Sequence, residues 1–567
     1  MPYRAPVDEF RFLFDHVVGF GGVTRTDLFA EAEGEMTDAM LTGAARLCEE
    51  GLAPLQRVGD QNPAVLENGV VRTAPGFAEG YRAIAEGGWI ACSAPAEHGG
   101  LGLPQTLTTA LNEMMAGACL SIQLQPLLAQ GQIEALHAHA SEELRRLYLP
   151  KLIAGEWFGT MNLTEPQAGS DVGALRTRAE PDADGTYRIT GQKIYITWGD
   201  ADFIGNVCHL VLARLPGAAP GTKGISLFLV PRQIPDATGN PGARNSLRVV
   251  SLEHKLGLHA SPTCVMEYDG AKGWLVGEEN GGMAAMFTMM NNARLGTGIQ
   301  GVGVAEAAYQ HARAYAEDRV QGRAGGSGTI IEHADVRRML ASMKADTQAA
   351  RAIGLSCAVA IDMAKATGNA DWAERAAFLT PIAKSFCTDT GIAVANEGIQ
   401  VHGGMGFVEE TGAAQYFRDI RVSAIYEGTN GIQGMDLVGR KMMDGGDAAF
   451  RLLDEIEQGA EAARAAFPDL ARSVWSAAES LRETTEWLLE QDAQIRFAGA
   501  VAYQRAFARV LGSHFHLRAA VAAGDGSSRA ALAGFYIRCL LPEHGALLAH
   551  AREGAAVFAL GPGDLAA

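Results

Sequence analysis

One glutamate in the sequence stands between two largely apolar side chains and a glycine-rich turn. Ile425 and Tyr426 precede Glu427, and Gly428 and Thr429 follow it. Burial beside the apolar pair would disfavour the charged carboxylate and raise its pKa, toward the range in which a carboxylate removes a carbon-bound proton near neutral pH. A glutamate before Gly-Thr-Asn-Gly is also common as a solvated turn residue. The motif alone therefore leaves both interpretations open.

A glycine-rich segment and a basic segment precede this turn. Residues 398–407 read Gly-Ile-Gln-Val-His-Gly-Gly-Met-Gly-Phe, and residues 418–421 read Arg-Asp-Ile-Arg. Together with the turn, they resemble the C-terminal signature of the acyl-CoA dehydrogenases. The resemblance implies that Glu427 removes the α-proton of an acyl-CoA thioester while the β-hydrogen leaves as hydride to FAD. It also implies that Tyr426 and Gly428 contact the substrate.

A second block, residues 161–172, reads Met-Asn-Leu-Thr-Glu-Pro-Gln-Ala-Gly-Ser-Asp-Val. It resembles the family's Thr-Glu-Pro-x-Ala-Gly-Ser-Asp signature, which opens a small β-domain. Extended backbone from Met161 through Leu163 to Thr164 would offer N–H and C=O groups to a flavin ring. Thr164 and Ser170 add hydroxyl groups for the flavin, and Ser170 also for the substrate. A polar turn after a strand is the alternative interpretation.

The segment 191–199 alternates aliphatic and aromatic residues, as a strand does. It resembles the family's Lys-x-Trp-Ile-Thr-Asn, with Tyr195 in place of the flavin-shielding tryptophan and Trp198 in place of the asparagine. Tyr195 keeps an aromatic face for the flavin, and Thr197 is the matching threonine. The same alternation is typical of any half-buried strand.

Further residues carry over by local resemblance to the family. Asn291 and Arg294, three positions apart, share one face of a predicted helix. The resemblance implies that Asn291 binds the pantetheine chain and that Arg294 supports the wall of the active site. The alternative for Arg294 is an ordinary surface charge.

A second group of residues matches positions that the family uses to bind FAD. Arg319 and Gln321 match residues that reach the pyrophosphate of the neighbouring subunit's FAD, and a planar guanidinium suits phosphate oxygens. Gln400 and Gly404 match the segment that approaches the same FAD, where glycine permits close contact. Thr429 matches a threonine that contacts the flavin. These assignments imply at least a dimer.

Composition limits the possible functions. The chain has 567 residues, 48% of them hydrophobic, and a formal net charge of −18. This length indicates several domains, and the acidic balance argues against nucleic-acid binding and against an anionic membrane surface. The eight cysteines form no metal-spaced cluster. No signal peptide or membrane span is predicted, so we expect a cytoplasmic protein without a bound metal.

The hydrophobic pattern predicts an α+β multidomain chain. We expect an N-terminal helical domain (1–157), a central β-domain (158–278), a C-terminal helical bundle that holds the base (279–444) and an additional helical extension (445–567). The first three make up the acyl-CoA dehydrogenase fold. The glycines of residues 298–305 are reminiscent of a dinucleotide-binding loop, but a helical pattern precedes them, which favours close helix packing instead.

The extension, together with residues 257–264 and 269–277, makes the chain resemble a bacterial subgroup of the family that includes 3-methylmercaptopropionyl-CoA dehydrogenase. The resemblance implies as substrate either 3-methylmercaptopropionyl-CoA, of the dimethylsulfoniopropionate demethylation pathway, or a short- or medium-chain straight acyl-CoA of fatty-acid β-oxidation. The product would be a trans-2-enoyl-CoA, with electron-transfer flavoprotein as electron acceptor. The extension would cover the surface that smaller members use to form tetramers, so we predict a homodimer. An acyl-CoA oxidase and a non-catalytic DNA-associated relative are the competing functions.

Overall fold

The structure is a computed structural model that describes residues 3–323 and 325–566. The chain divides into two compact units. We call residues 43–293 the β-unit and residues 1–42 with 294–567 the helical unit. Two helices, α3 (Glu35–Arg46) and α8 (Gly282–Asp318), contribute residues to both units.

The described part of the β-unit is organised around a sheet of seven strands. Its strands are β3 (Trp157–Asn162), β4 (Arg178–Pro181), β5 (Tyr187–Thr197), β6 (Asn206–Ala213), β7 (Ser226–Pro231), β10 (Leu247–Leu252) and β11 (Thr263–Val276). Six strands follow the order β3-β6-β7-β11-β5-β4, and β10 also pairs with β11. The β3–β6 pair is parallel and the other pairs are antiparallel. Strands β6 and β7 are buried along their whole length, which explains why most of their residues are apolar.

Helices and two short hairpins complete the β-unit. The helices are α4 (Ala53–Gln61), α5 (Phe77–Glu86), α6 (Gln105–His139) and α7 (Glu142–Ile153). The hairpins are β1 (Val65–Glu67) with β2 (Val70–Arg72), and β8 (Gln233–Pro235) with β9 (Pro241–Arg244). Helix α6 is buried along most of its length and packs against β3, so its apolar residues are not confined to one face.

The helical unit begins with short N-terminal helices and continues with long antiparallel ones. Its helices before the extension are α1 (Val7–His16), α2 (Phe20–Thr24), α8 from residue 294 onward, α9 (Ala334–Thr367), α10 (Ala370–His402), α11 (Ala413–Ile420) and α12 (Asn430–Asp436). Helices α9 and α10 pack against each other along their length. Gly298 and Gly301 bring α8 close to α10, because a Cβ at Gly301 would lie 2.2 Å from the Cys387 carbonyl oxygen. Close helix packing therefore explains the glycine pattern, as predicted.

The C-terminal extension is helical, as its sequence predicts. Its helices are α13 (Asp447–Ala463), α14 (Pro468–Glu490), α15 (Ala493–Ala523), α16 (Ser528–Phe535) and α17 (Glu543–Glu553). Helix α15 packs against the other four and against α9, α10 and α12. The Asp492 carboxylate caps α15 by accepting a hydrogen bond from the Ile495 N–H at 3.0 Å. None of the described helices is long and apolar enough to cross a membrane.

Candidate active site

Glu427 lies in the short connection between a 3-10 turn and α12, within the helical unit. Its φ is +57°, in the left-handed region that non-glycine residues seldom adopt, and Gly428 follows with φ +83°. The next residue, Thr429, caps α12 by accepting a hydrogen bond from the Ile432 N–H at 3.2 Å. A left-handed glutamate costs on the order of 1 kcal/mol, so the surrounding contacts must hold this conformation.

The Glu427 carboxylate is short of hydrogen-bond donors. Its Oε2 atom is buried and has no hydrogen-bond partner among the described residues. Burial raises the pKa of Glu427 to about 7, although the positive charges of Arg294 and Lys384 oppose this rise. The carboxylate therefore exchanges its proton near neutral pH.

Two buried cations lie near this carboxylate, and each binds other groups. Arg294 Nη1 lies 3.2 Å from Asp436 Oδ2, and both side chains are buried. Lys384 Nζ, on α10, donates to the Gly428 carbonyl oxygen at 2.9 Å and to Asn430 Oδ1 at 2.8 Å. Sequence reasoning did not identify Lys384. The sequence feature that could have pointed to it is a lysine within an apolar stretch of helix, because a lysine is seldom buried without a partner.

The flanking residues fix the turn from both sides. The Tyr426 hydroxyl donates to Gln300 Oε1 on α8, and burial raises the pKa of this phenol well above its usual value. Gln433 Nε2 donates to the Glu427 carbonyl oxygen at 3.0 Å. The Glu427 N–H donates to no group among the described residues. It is therefore available to a bound ligand.

The other predicted cofactor residues of the helical unit lie at its surface. Arg319, Gln321, Gln400 and Gly404 are all exposed. A Cβ placed at Gly404 would meet no atom within 4 Å. The space beside this glycine is therefore open among the described residues.

In the β-unit, Tyr195 lies at an irregular point of β5. The register between β5 and β11 shifts there, and Tyr195 adopts φ +61°. The bulge turns the ring outward, and 60% of the residue is exposed. The preceding Ile194 N–H donates to the Thr164 carbonyl oxygen at 2.9 Å. An exposed aromatic ring therefore lies beside the segment that follows β3.

The remaining predicted cofactor residues of the β-unit lie on neighbouring strands and loops. Met161, Leu163, Thr164 and Thr197 are half-buried, and Ser170 is exposed. No hydrogen bond joins the Thr164 or Ser170 hydroxyl to another described residue. Both hydroxyls are thus available to a ligand.

Glu165 and Lys193 form a buried ion pair next to these residues. Lys193 Nζ donates to Glu165 Oε1 at 2.8 Å and to the Leu163 carbonyl oxygen at 2.9 Å. The carboxylate also accepts hydrogen bonds from the backbone N–H groups of Arg176 and Thr177. Burial would raise the pKa of Glu165, but the Lys193 charge and these donors lower it to about 2.

Two more residues of the predicted site region, Trp198 and Asn291, differ in their exposure. Trp198 is buried, stacks on Phe77 and donates its indole N–H to the Ser121 carbonyl oxygen at 3.0 Å. It is thus a core residue of the β-unit. Asn291 is exposed, whereas Asn292 beside it is buried and donates to Glu134 Oε1 at 2.9 Å.

Four protein-family domains match the chain in sequence order. They are the acyl-CoA dehydrogenase N-terminal domain at residues 35–156, the middle domain at 160–271, the C-terminal domain at 280–443 and an acetyl-CoA dehydrogenase C-terminal-like domain at 452–560. With the fold and the carboxylate turn described above, these matches show that the chain belongs to the acyl-CoA dehydrogenase family. It is an FAD-dependent acyl-CoA dehydrogenase with an extra C-terminal domain.

Two relatives agree with this assignment, and one solved structure shares the fold. The chain is 47% identical over 465 residues to 3-methylmercaptopropionyl-CoA dehydrogenase of Ruegeria pomeroyi, covering 80% of this chain and 79% of that protein. It is 37% identical over 447 residues to a butyryl-CoA dehydrogenase of Syntrophomonas wolfei, covering 74% and 72% respectively. The crystal structure of Caenorhabditis elegans ACDH-11 in complex with C11-CoA superposes with a TM-score of 0.80 at 21% identity, covering 96% of this chain and 92% of that one.

The residues present fit a flavin cofactor. In the β-unit, an outward-facing tyrosine ring lies beside a segment whose threonine and serine hydroxyls make no bonds within the described chain. In the helical unit, Glu427 has a buried oxygen without a donor, and its N–H makes no bond within that part of the chain. Aromatic faces, hydroxyls and unused backbone donors are the groups that flavins and acyl thioesters bind.

Proposed function

We propose that Glu427 is the general base in the α,β-dehydrogenation of an acyl-CoA thioester. The observation that carries this proposal is the buried Oε2 atom, which has no hydrogen-bond partner among the described residues. A carboxylate with a pKa of about 7 is a stronger base than an ordinary glutamate, yet it is still ionised in a large fraction of molecules at neutral pH. A carboxylate surrounded by donors would hold its charge more tightly and would be a weaker base.

The proposed reaction breaks two C–H bonds of the acyl chain. The α C–H bond breaks and its proton passes to the Glu427 carboxylate. The β C–H bond breaks and its hydrogen leaves as hydride, with the electron pair of that bond. FAD, when bound, supplies the hydride acceptor. The electron pair left by the α-proton forms the new C=C bond. The product is a trans-2-enoyl-CoA.

The backbone of the turn supports the same step. The thioester carbonyl oxygen gains negative charge as the α-proton leaves, and a fixed donor stabilises that charge. The Glu427 N–H makes no bond to the described residues, so it can donate to that oxygen. One such preorganised donor contributes about 3 kcal/mol to comparable reactions. In the helical unit, we propose that Tyr426, Gly428 and Arg294 also bind the substrate. In the β-unit, we propose the same role for Asn291 and Ser170.

We propose that the remaining predicted residues bind FAD. In the β-unit, these are Met161, Leu163, Thr164, Ser170, Tyr195 and Thr197, and in the helical unit they are Thr429, Arg319, Gln321, Gln400 and Gly404. The exposure of the last four supports the proposal that they reach the FAD of a second subunit. We therefore propose a homodimer, in which residues 445–567 cover the surface that smaller members use to form tetramers.

The proposed substrate is 3-methylmercaptopropionyl-CoA. The support is the Ruegeria pomeroyi relative of that name, at 47% identity. A short straight-chain acyl-CoA is the second candidate, supported by the butyryl-CoA dehydrogenase at 37% identity. By family resemblance, we propose electron-transfer flavoprotein as the electron acceptor and the cytoplasm as the location.

A substrate panel tests these proposals. The purified flavoprotein is mixed anaerobically with 3-methylmercaptopropionyl-CoA, butyryl-CoA or octanoyl-CoA, and the loss of flavin absorbance is followed by stopped flow. We expect the sulfur-containing thioester to give the highest kcat/KM, and a higher value for butyryl-CoA would instead select the straight-chain substrate. Hydrogen peroxide formed in air at the rate of turnover would identify an oxidase.

A further inference from the structure

Lys384 is a buried lysine that contacts the catalytic turn without bonding to its carboxylate. The residue is fully buried on α10, and its Nζ donates to the Gly428 carbonyl oxygen and to Asn430 Oδ1. Both acceptors are neutral. Among the described residues, no carboxylate lies within ion-pair distance of this ammonium.

The charges around Lys384 come from several elements. Glu427 on the turn and Asp389 on α10 stabilise its positive charge, and Arg294 on α8 opposes it. Burial lowers the pKa of Lys384 to about 8 despite the two carboxylates. Asp389 in turn faces Arg421 and Arg505, and its carboxylate accepts a hydrogen bond from Asn430 Nδ2 at 2.7 Å.

Arg294 is the other cation that acts on Glu427, and its charge lowers the pKa of Glu427 more than that of Lys384 does. Arg294 lies 3.2 Å from Asp436, whose second oxygen lies 2.5 Å from Arg440. Lys384 has no such carboxylate bound to it. The hydrogen bonds that Lys384 makes to described residues therefore go to neutral groups, and Glu427 is the carboxylate on the turn that it binds.

We propose that Lys384 is a positioning residue for the base: it anchors the left-handed turn at Gly428 and places its positive charge on the turn that carries the Glu427 carboxylate. This inference rests on the proposed function of Glu427. The anchor matters because the turn is held in a conformation that glutamate disfavours. The charge matters because burial alone would raise the pKa of Glu427 further, which would leave less base at pH 7.

The test compares three replacements of Lys384 in the holoenzyme. Lys384→Met removes charge and donor, Lys384→Gln removes the charge but keeps an N–H donor, and Lys384→Arg keeps the charge. For the parent, we expect kcat/KM to rise with pH through about 7. In Lys384→Met and Lys384→Gln, the pH at which kcat/KM rises should increase by about one unit, because one opposing charge is lost. In Lys384→Arg, this pH should stay near that of the parent.

A second readout does not depend on turnover. An infrared difference titration between the parent and Glu427→Gln follows the protonated carboxylic acid of Glu427 directly, with and without the lysine. The same upward shift of about one unit is expected. Lys384→Gln and Lys384→Arg keep the test usable if Lys384→Met does not fold.

The matched control is Lys344→Met, which removes the same charge from an exposed position on α9. An equal shift in this control, or an unchanged titration in Lys384→Gln and Lys384→Met, would overturn the inference. If Glu427→Gln kept the parent's activity, the proposed function of Glu427 would fail instead. The two failures are therefore distinguishable.

Discussion

Each unit of this enzyme contains a glutamate and a buried lysine, and the two pairs behave in opposite ways. In the β-unit, Lys193 bonds directly to Glu165 at 2.8 Å, and the carboxylate also accepts hydrogen bonds from two backbone N–H groups and from Gln167 Nε2. In the helical unit, Lys384 bonds to the turn beside Glu427, and one carboxylate oxygen has no partner among the described residues. The pKa of Glu165 is lowered to about 2, and that of Glu427 is raised to about 7.

The difference shows that burial and a nearby lysine do not by themselves set a carboxylate's role. Burial raises the pKa of both glutamates, and a lysine charge lowers it in both. The number of donors that reach the carboxylate oxygens decides which effect is larger. Glu165 therefore stabilises the structure as a fixed anion, and Glu427 is suited to exchange a proton.

The largest expected effect is on catalysis. Glu427→Gln should lower kcat for dehydrogenation by about 10³-fold, within the range that a general base contributes, because the amide cannot accept the α-proton. Anaerobic loss of flavin absorbance measures this. Glu410→Gln, an exposed glutamate, is the control and should keep the parent rate. If the parent and Glu427→Gln reacted at comparable rates, Glu427 would not be the base, and it would no longer differ in role from Glu165.

The second prediction concerns stability. Glu165→Gln should lower the free energy of unfolding of the β-unit by about 3–5 kcal/mol, because Lys193 is then left as a buried charge without its carboxylate. Urea denaturation followed by tryptophan fluorescence measures the change. Glu180→Gln on β4 removes an exposed carboxylate instead and should change the free energy by about 0–1 kcal/mol. If Glu165→Gln were as stable as the parent, the Glu165–Lys193 ion pair would contribute nothing to the free energy of unfolding.

The smallest effect concerns acid stability. Because the pKa of Glu165 is lower in the folded than in the unfolded state, its stabilisation is complete above about pH 5 and is lost as pH falls toward about 2. Between pH 6 and pH 3, the parent should therefore lose about 2 kcal/mol more stability than Glu165→Gln does. Denaturation curves at both pH values measure the difference. If the parent and Glu165→Gln lost the same amount of stability between these pH values, the pKa of Glu165 would not be lowered in the folded protein.

Local sequence patterns were sufficient to predict the main elements and part of the site. The helical period after residue 280 and the short apolar runs before it correspond to the observed helices and strands. Seven of the cysteines are buried, whereas Cys539 is exposed. Glu427 could be singled out because its apolar approach and glycine turn are adjacent in the chain.

Non-local contacts could not be predicted from the same patterns. Lys384 lies 44 positions before the Gly428 carbonyl that it binds, and Lys193 lies 28 positions after Glu165. Trp198 matched a position next to the predicted flavin segment, yet its indole binds Ser121, 77 positions earlier in the chain. Spacing along a helix or strand carries no information about such partners.

The sequence by itself determined the family, the order of the elements and the turn that presents Glu427, because each follows from residues close together in the chain. Only the tertiary structure decided which carboxylate is held as a fixed anion and which can exchange a proton. The physical reason is that a pKa depends on burial and on donors within a few ångströms. The fold supplies those donors from distant parts of the chain.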